Sequence, residues 1–370
     1  MLVKPFQLFC SFVLASWVGG IFIWATLHLH GASSALVLKW WLSQWFPFES
    51  ISRPIRESCW QELSPLSGSV LELPEIDVQK LLQKDKTDLI SQVQQIHGSD
   101  WRSRPLLLRN VWTRQELNSS DRRLSLQGLL KEHMIVPYFT NVSRPGALVP
   151  DSEGRISAIV ANISKKALPH KIGTQLLARK NPELIYEVAP NDVMTNLFGP
   201  FFSPKMVQGF LNGWMPPLTV VPLFVAKAKK LQGNDTTCLS STEQPRTDMH
   251  CEPIANILVQ LEGEKEITLI SPEYSLYLKP GLSPDRRAYI YSQSRSFDDI
   301  PRYIHTIQKG DAIYVPTWTW HRVDYTFGEE VAISGSLFHF RPLDFVRRNP
   351  LHAAVILPNL LLELTGCKLQ

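Results

Sequence analysis

The stretch from Asp248 to Gln260, DMHCEPIANILVQ, constrains the fold more than any other part of the chain. Its apolar β-branched positions predict a strand, and side chains two apart on a strand share a face. One face carries His250, Glu252, Asn256 and Gln260 together with Ile254 and Leu258. The other carries Cys251, Pro253, Ala255, Ile257, Val259 and Leu261. Buried polar groups are costly unless partnered, so a strand with one polar face needs something on that face to serve.

The neighbourhood of this strand has the same texture. From Leu218 onward, LTVVPLFVAK, IANILVQLEG, KEITLIS, AIYVP and VAISGSLFHF are short strand-like runs separated by Gly, Pro, Asp and Ser. Such spacing predicts a β barrel or sandwich fronted by helices, a mainly β (α+β) architecture. A polar loop, LQGNDTTCLSSTEQPRT, interrupts it before the polar-faced strand. Upstream, DVQKLLQKDKTDLISQVQQI has helical spacing in Val78, Leu81, Leu82, Leu89, Ile90 and Val93. RPLLLRNVW (104–112) reads as a short buried strand, and residues 113–215 alternate helix-like segments with turn clusters. Residues 31–75, without a sustained period from 49 onward, read as a linker, and 76–350 as the main domain. The last stretch, 351–370, predicts an amphipathic helix interrupted by Pro358, too short and broken to span a bilayer.

The N-terminus is different in kind. From Phe6 to Leu38 there is no Asp, Glu, Lys or Arg, and FQLFCSFVLASWVGGIFIWATL runs for 22 residues. A bilayer core needs roughly 20 helical residues. Residues 1–30 are therefore expected to form a transmembrane signal anchor, preferred over a cleaved signal because the apolar run is long and HGAS is a poor cleavage site. Trp40, Trp41 and Trp45 follow as interfacial candidates. Sequons at Asn118, Asn141, Asn162 and Asn234 favour a body in the lumen of the secretory pathway. The net charge of +4 is scattered, its densest cluster being Lys227, Lys229 and Lys230, so no sustained basic stripe marks a nucleic-acid partner. Five cysteines show no zinc-finger spacing.

His250 and Glu252, two apart on one strand face, can both reach one metal ion, and GDAIYVPTWTWHRV (310–323) supplies a further histidine, His321. Two histidines and a carboxylate leave open positions that suit non-haem Fe(II). HCEPIANILVQLEGEKEITLISP followed by GDAIYVPTWTWHRV resembles the JmjC family of Fe(II)/2-oxoglutarate oxygenases, most closely its small hydroxylase-type members with a cupin-like double-stranded β-helix (jelly roll). The first stretch carries the H-x-D/E, the Asn four residues later and the Gly-x-Lys beyond it. The second matches the G-D-x-x-x-x-P…W-H run. The resemblance spans about residues 76–348, with the two motif blocks its specific part. It implies His250, Glu252 and His321 as catalytic iron ligands. It implies Lys265 and Thr247 as holding the distal carboxylate of 2-oxoglutarate, with Asn256 lining that pocket. Lys265 also fits on physical grounds, since a dianion in a barrel needs a buried cation.

This sequence departs from the family pattern at several points. Glu252 stands where hydroxylase-type members usually have Asp, Cys251 lies between two ligands where a thiol is open to oxidation, and Ser336 replaces a frequent Asn. The loop at 232–247 is long, and no tyrosine can be assigned to the cosubstrate pocket. The expected activity is hydroxylation of a protein or peptide side chain by a membrane-anchored enzyme. Two alternatives stand beside it: a non-catalytic cupin-like scaffold, and a zinc or manganese cupin without oxygenase chemistry.

Overall fold

A computed structural model describes residues 3–44, 48–84, 89–111, 246–282, 288–325 and 331–364, and strands at 135–140, 149–155, 170–172, 219–220 and 223–227. The side chains of residues 1–15 and the four sequons lie outside the described residues.

Three helices open the chain: α1 (Val3–His28), α2 (Ser34–Ser43) and α3 (Glu49–Gln61). Ser33 caps α2, its hydroxyl accepting the Leu36 N–H at 3.2 Å. The stretch read as a linker therefore contains two helices. Its period was hidden because α3 buries Ser52, Arg56 and Cys59, at i, i+4 and i+7. The helical stripe is there, written in residues that a search for apolar side chains passes over.

Among the described residues no helix is long and apolar enough to cross a membrane. The expected span begins in side chains outside the description, and its end is packed into the protein. Ile21, Ala25 and Leu29 are buried with Leu36, Val37 and Trp40 of α2, Cys59 of α3, and Leu351 and Val355 of the C-terminal helix. That helix, α7 (Pro350–Leu364), follows α6 (Pro342–Arg348) and continues through Pro358. The helices α4 (Val78–Lys84) and α5 (Leu89–His97) occupy the segment where helical spacing was expected.

The β elements form two sheets. The first runs in the order β1 (Val70–Leu71), β14 (Arg302–Ile307), β11 (Lys265–Ile270), β16 (Trp320–Asp324), β9 (His250–Cys251), β13 (Ile290–Ser292) and β12 (Pro280–Leu282). The second begins with β2 (Glu75–Asp77), β3 (Leu106–Arg109), β15 (Ala312–Val315), β10 (Ala255–Glu262) and β17 (Val331–His339). It continues through β8 (Leu223–Lys227), β6 (His170–Ile172), β4 (Ile135–Thr140) and β5 (Val149–Arg155), with β7 (Thr219–Val220) paired to β17. The chain passes back and forth between them: β9, β11, β14 and β16 belong to the first sheet, and β10, β15 and β17 to the second. Leu258 and Ile313 from one sheet and Ile267, Leu269 and Val323 from the other meet in a common core. Consecutive strands alternating between two facing sheets give a jelly-roll arrangement.

One expectation fails in an instructive way. DMHCEPIANILVQ is not one strand. β9 ends at Cys251 and β10 starts at Ala255, in the opposite sheet. Pro253 cannot donate to a ladder, and the chain turns the corner of the barrel there. The polar face is consequently divided between two sheets that look at each other.

Candidate metal centre

β9 and β16 are antiparallel neighbours, and His250 lies directly opposite His321. Their ring centroids are 4.2 Å apart, planes tilted by 53°. Glu252 sits just beyond β9, where its backbone carbonyl accepts the Trp318 N–H at 3.0 Å. Trp318 has φ 65°, an uncommon left-handed backbone for a bulky residue, and its indole N–H is held by the Phe345 carbonyl at 2.9 Å. That turn joins the corner after β9 to the approach to β16, so the carboxylate and the distal histidine are set by one piece of structure.

Possible ligand atoms of His250, Glu252 and His321 all lie within 4.8 Å of one another, a group that could hold a metal ion. The imidazole tautomers agree with this. His250 Nδ1 is 2.6 Å from the Asp248 carbonyl and His321 Nδ1 is 3.1 Å from the Thr319 carbonyl. Each Nδ1–H donates to a backbone oxygen, which leaves each Nε2 with a free lone pair. Desolvation, reinforced by the neighbouring His250, pushes His321 down to about 3, so its ring is neutral and able to ligate at ordinary pH.

The same pocket is lined by Lys265, Thr247 and Asn256, so the three residues expected to hold a cosubstrate are brought to the metal group. Lys265 opens β11 with only 1% of its surface exposed. Its Nζ donates to Ser334 Oγ at 2.6 Å and lies 5.7 Å from the ring of Tyr325. No carboxylate salt-bridges it among the described residues, and burial lowers its pKa well below the usual lysine value. Thr247 Oγ1 accepts the Val323 N–H at 2.8 Å, keeping its own proton free to donate. Asn256 Nδ2 is 3.4 Å from Ser336 Oγ, while its Oδ1 is buried without a partner among the described residues.

Several lining residues escaped the sequence. Tyr325 is buried beside Lys265, its phenol raised by desolvation against the opposing hydrogen bond of Ser334. It stands four residues after His321, where period-two counting through β16 could have found it. Tyr289 and Tyr291 come from the neighbouring strand region, with Tyr291 opposite His250 in the β13–β9 register. Phe224 and Phe338 close the other wall. Only the pairing of distant strands brings these side chains together.

Cys251 proves to be remote from the metal group in direction though adjacent in sequence. It points into a second core with Met249, Trp318 and Trp320, is fully buried, and lies 3.7 Å from His352 Nδ1. Desolvation raises its thiol well above the usual range, which disfavours the reactive thiolate.

Residues 219–344 match the family model of a cupin-like domain. That segment runs from β7 into α6 and includes all three candidate ligands. No curated protein matches the chain. A cupin-like domain with a possible His-Glu-His metal site is what the fold and the comparison together establish.

Proposed function

We propose that the chain is an Fe(II)- and 2-oxoglutarate-dependent oxygenase that hydroxylates a side chain of a protein or peptide. The observation that carries this reading is Lys265, a buried amine with no carboxylate partner among the described residues, on the floor of the pocket that opens onto His250, Glu252 and His321. An unpaired buried cation is unfavourable in the resting protein and calls for an anion. A small dicarboxylate reaching from the metal to Lys265 would supply it. Ser334, Tyr325 and Thr247 add hydroxyl donors around the same end.

His250, Glu252 and His321 fit an Fe(II) ion as two neutral nitrogens and one carboxylate, a set that leaves coordination positions open. When bound, iron would supply the activation of oxygen that no side chain can perform. The protein's part is to hold the two imidazoles as neutral Nε2 donors, to neutralise the distal carboxylate at Lys265, and to keep water from the site. Phe224, Phe338 and Leu258 serve the last purpose. A non-catalytic scaffold or a hydrolytic metal cupin gives no use for Lys265 at that depth.

Conversion of 2-oxoglutarate to succinate by the purified chain, with Fe(II) and ascorbate and without any added peptide, tests the reading. Slow uncoupled turnover that disappears in His321→Ala is expected. Stoichiometric metal binding with no 2-oxoglutarate binding would favour the scaffold or hydrolase instead.

A further inference from the structure

The helices packed beside the first sheet have an outer face as well as an inner one. In α1, Ile21 and Ala25 point inward with Leu29 just beyond the helix, while Trp17, Ile23 and Leu27 are exposed, Leu27 at 74%. In α2, Leu36 and Trp40 are buried and Leu38 and Leu42, two residues further round, are exposed. α7 repeats the pattern, with Leu351 and Val355 inside and Leu357, Leu361 and Leu362 outside. All three helices share one core, so their outer sides belong to a single layer. Of the charged residues described on α1, α2 and α7, only Lys39 lies along it, and it pairs with Glu62 at 2.5 Å. A monomer rarely leaves so much contiguous apolar surface uncovered.

The border of this layer has a different character. A cavity of about 640 Å³ lies where α1 meets α6, and it is lined by Trp24, His28, Tyr303, Arg104, Arg347 and Arg348. Asp100 and Glu273 also face it, so guanidinium groups outnumber carboxylates three to two. Arg348 is committed to the carbonyls of Arg102 and Ser103, whereas Arg104 and Arg347 are exposed. Next to them α6 exposes Leu343 and Val346.

We infer that this helical layer lies on a phospholipid bilayer, with the outer leucines of α2 and α7 in the acyl boundary and Arg104 and Arg347 on anionic headgroups. Two features select a bilayer over a protein partner. A largely apolar face, its one described charge Lys39 neutralised by Glu62, and edged by Trp and Arg, has the order of polarity of a membrane interface. The chain also leads off the layer along α1 into Phe6–Ser16, a stretch whose sequence contains no Asp, Glu, Lys or Arg. The inference concerns the body of the domain, is independent of the proposed chemistry, and requires no helix to cross the membrane.

Spin labels read the depth directly. In the full chain, with Cys10, Cys238 and Cys367 replaced by serine and the buried Cys59 and Cys251 retained, a nitroxide is placed at Leu42→Cys, Leu361→Cys or, as control on α4, Lys80→Cys. On reconstitution into phosphatidylcholine–phosphatidylserine vesicles, collision with oxygen relative to a water-soluble nickel chelate should rise several-fold at 42 and 361 and stay unchanged at 80. Labels at 42 and 361 that remain as open to the chelate as the label at 80 would overturn the inference, since α1 alone would then attach the protein. Shielding at 42 and 361 without vesicles, together with a doubled mass in solution, would also overturn it by showing that a second copy covers the layer. Arg104→Ala and Arg347→Ala should each weaken binding to phosphatidylserine vesicles about fivefold and leave binding to phosphatidylcholine alone unchanged. Equal loss on both vesicle types would refute the headgroup contact.

Discussion

Replacing Lys265 by methionine should move two measurements in opposite directions. Methionine keeps the length of the side chain and removes the charge. In the resting protein Lys265 has one strong contact, the 2.6 Å bond to Ser334, and no carboxylate partner among the described residues. Exchanging buried charges for apolar groups of similar volume often stabilises by about 1–4 kcal/mol. Because a hydroxyl contact is lost at the same time, the lower half of that range applies, about 1–2 kcal/mol. For a domain of this size that raises the melting temperature by roughly 2–8 °C. The sign has a pH signature. Burial lowers the folded pKa of Lys265, so the unfolded chain binds the extra proton, and native stability rises with pH up to the unfolded value near 10.4. The advantage of Lys265→Met should therefore shrink as pH rises towards 10. Binding of 2-oxoglutarate should change the other way. A carboxylate left without its buried cation costs about 3–5 kcal/mol, a loss of affinity of two to three and a half orders of magnitude. Thermal denaturation with Mn(II), over a range of 2-oxoglutarate concentrations and from pH 6 to about 10, reads both effects. A resting Lys265→Met protein less stable than the parent, or one equally stabilised by 2-oxoglutarate, would refute the reasoning.

Other consequences are simpler to test. His250→Ala and His321→Ala should each abolish stoichiometric metal binding while the circular dichroism spectrum stays unchanged, because an open site rests on few ligands; metal analysis after gel filtration decides it. Cys251 should resist alkylation in the native protein and react only on unfolding, given its complete burial and raised pKa, with the modified peptides read by mass spectrometry. If the body lies in the secretory lumen, expression in eukaryotic cells should give a glycosidase-sensitive mobility shift through Asn118, Asn141, Asn162 or Asn234. A protein without the shift, digested by protease added outside intact microsomes, would place the domain on the cytosolic side.

The local sequence determined the strand content and the candidate ligand set. Short β-branched runs between turn residues fixed β10, β11, β15 and β17 because strand formation there needs little beyond alternating burial. The H-x-E and W-H motifs named His250, Glu252 and His321 because metal ligation demands particular side chains, and Lys265 followed from the resemblance of the same block to the oxygenase family. Tertiary structure decided what those residues face. Periodicity could not see that the chain turns at Pro253, since a strand that changes sheets keeps its alternation through the corner. Nor could it find α3, whose buried face is Ser52, Arg56 and Cys59. Tyr291 and Phe338 enter the pocket through pairings between strands far apart in the chain, which no local pattern encodes. Cys251 shows the difference most plainly: one residue from two candidate ligands in sequence, it belongs to another core because adjacent side chains on a strand point to opposite faces.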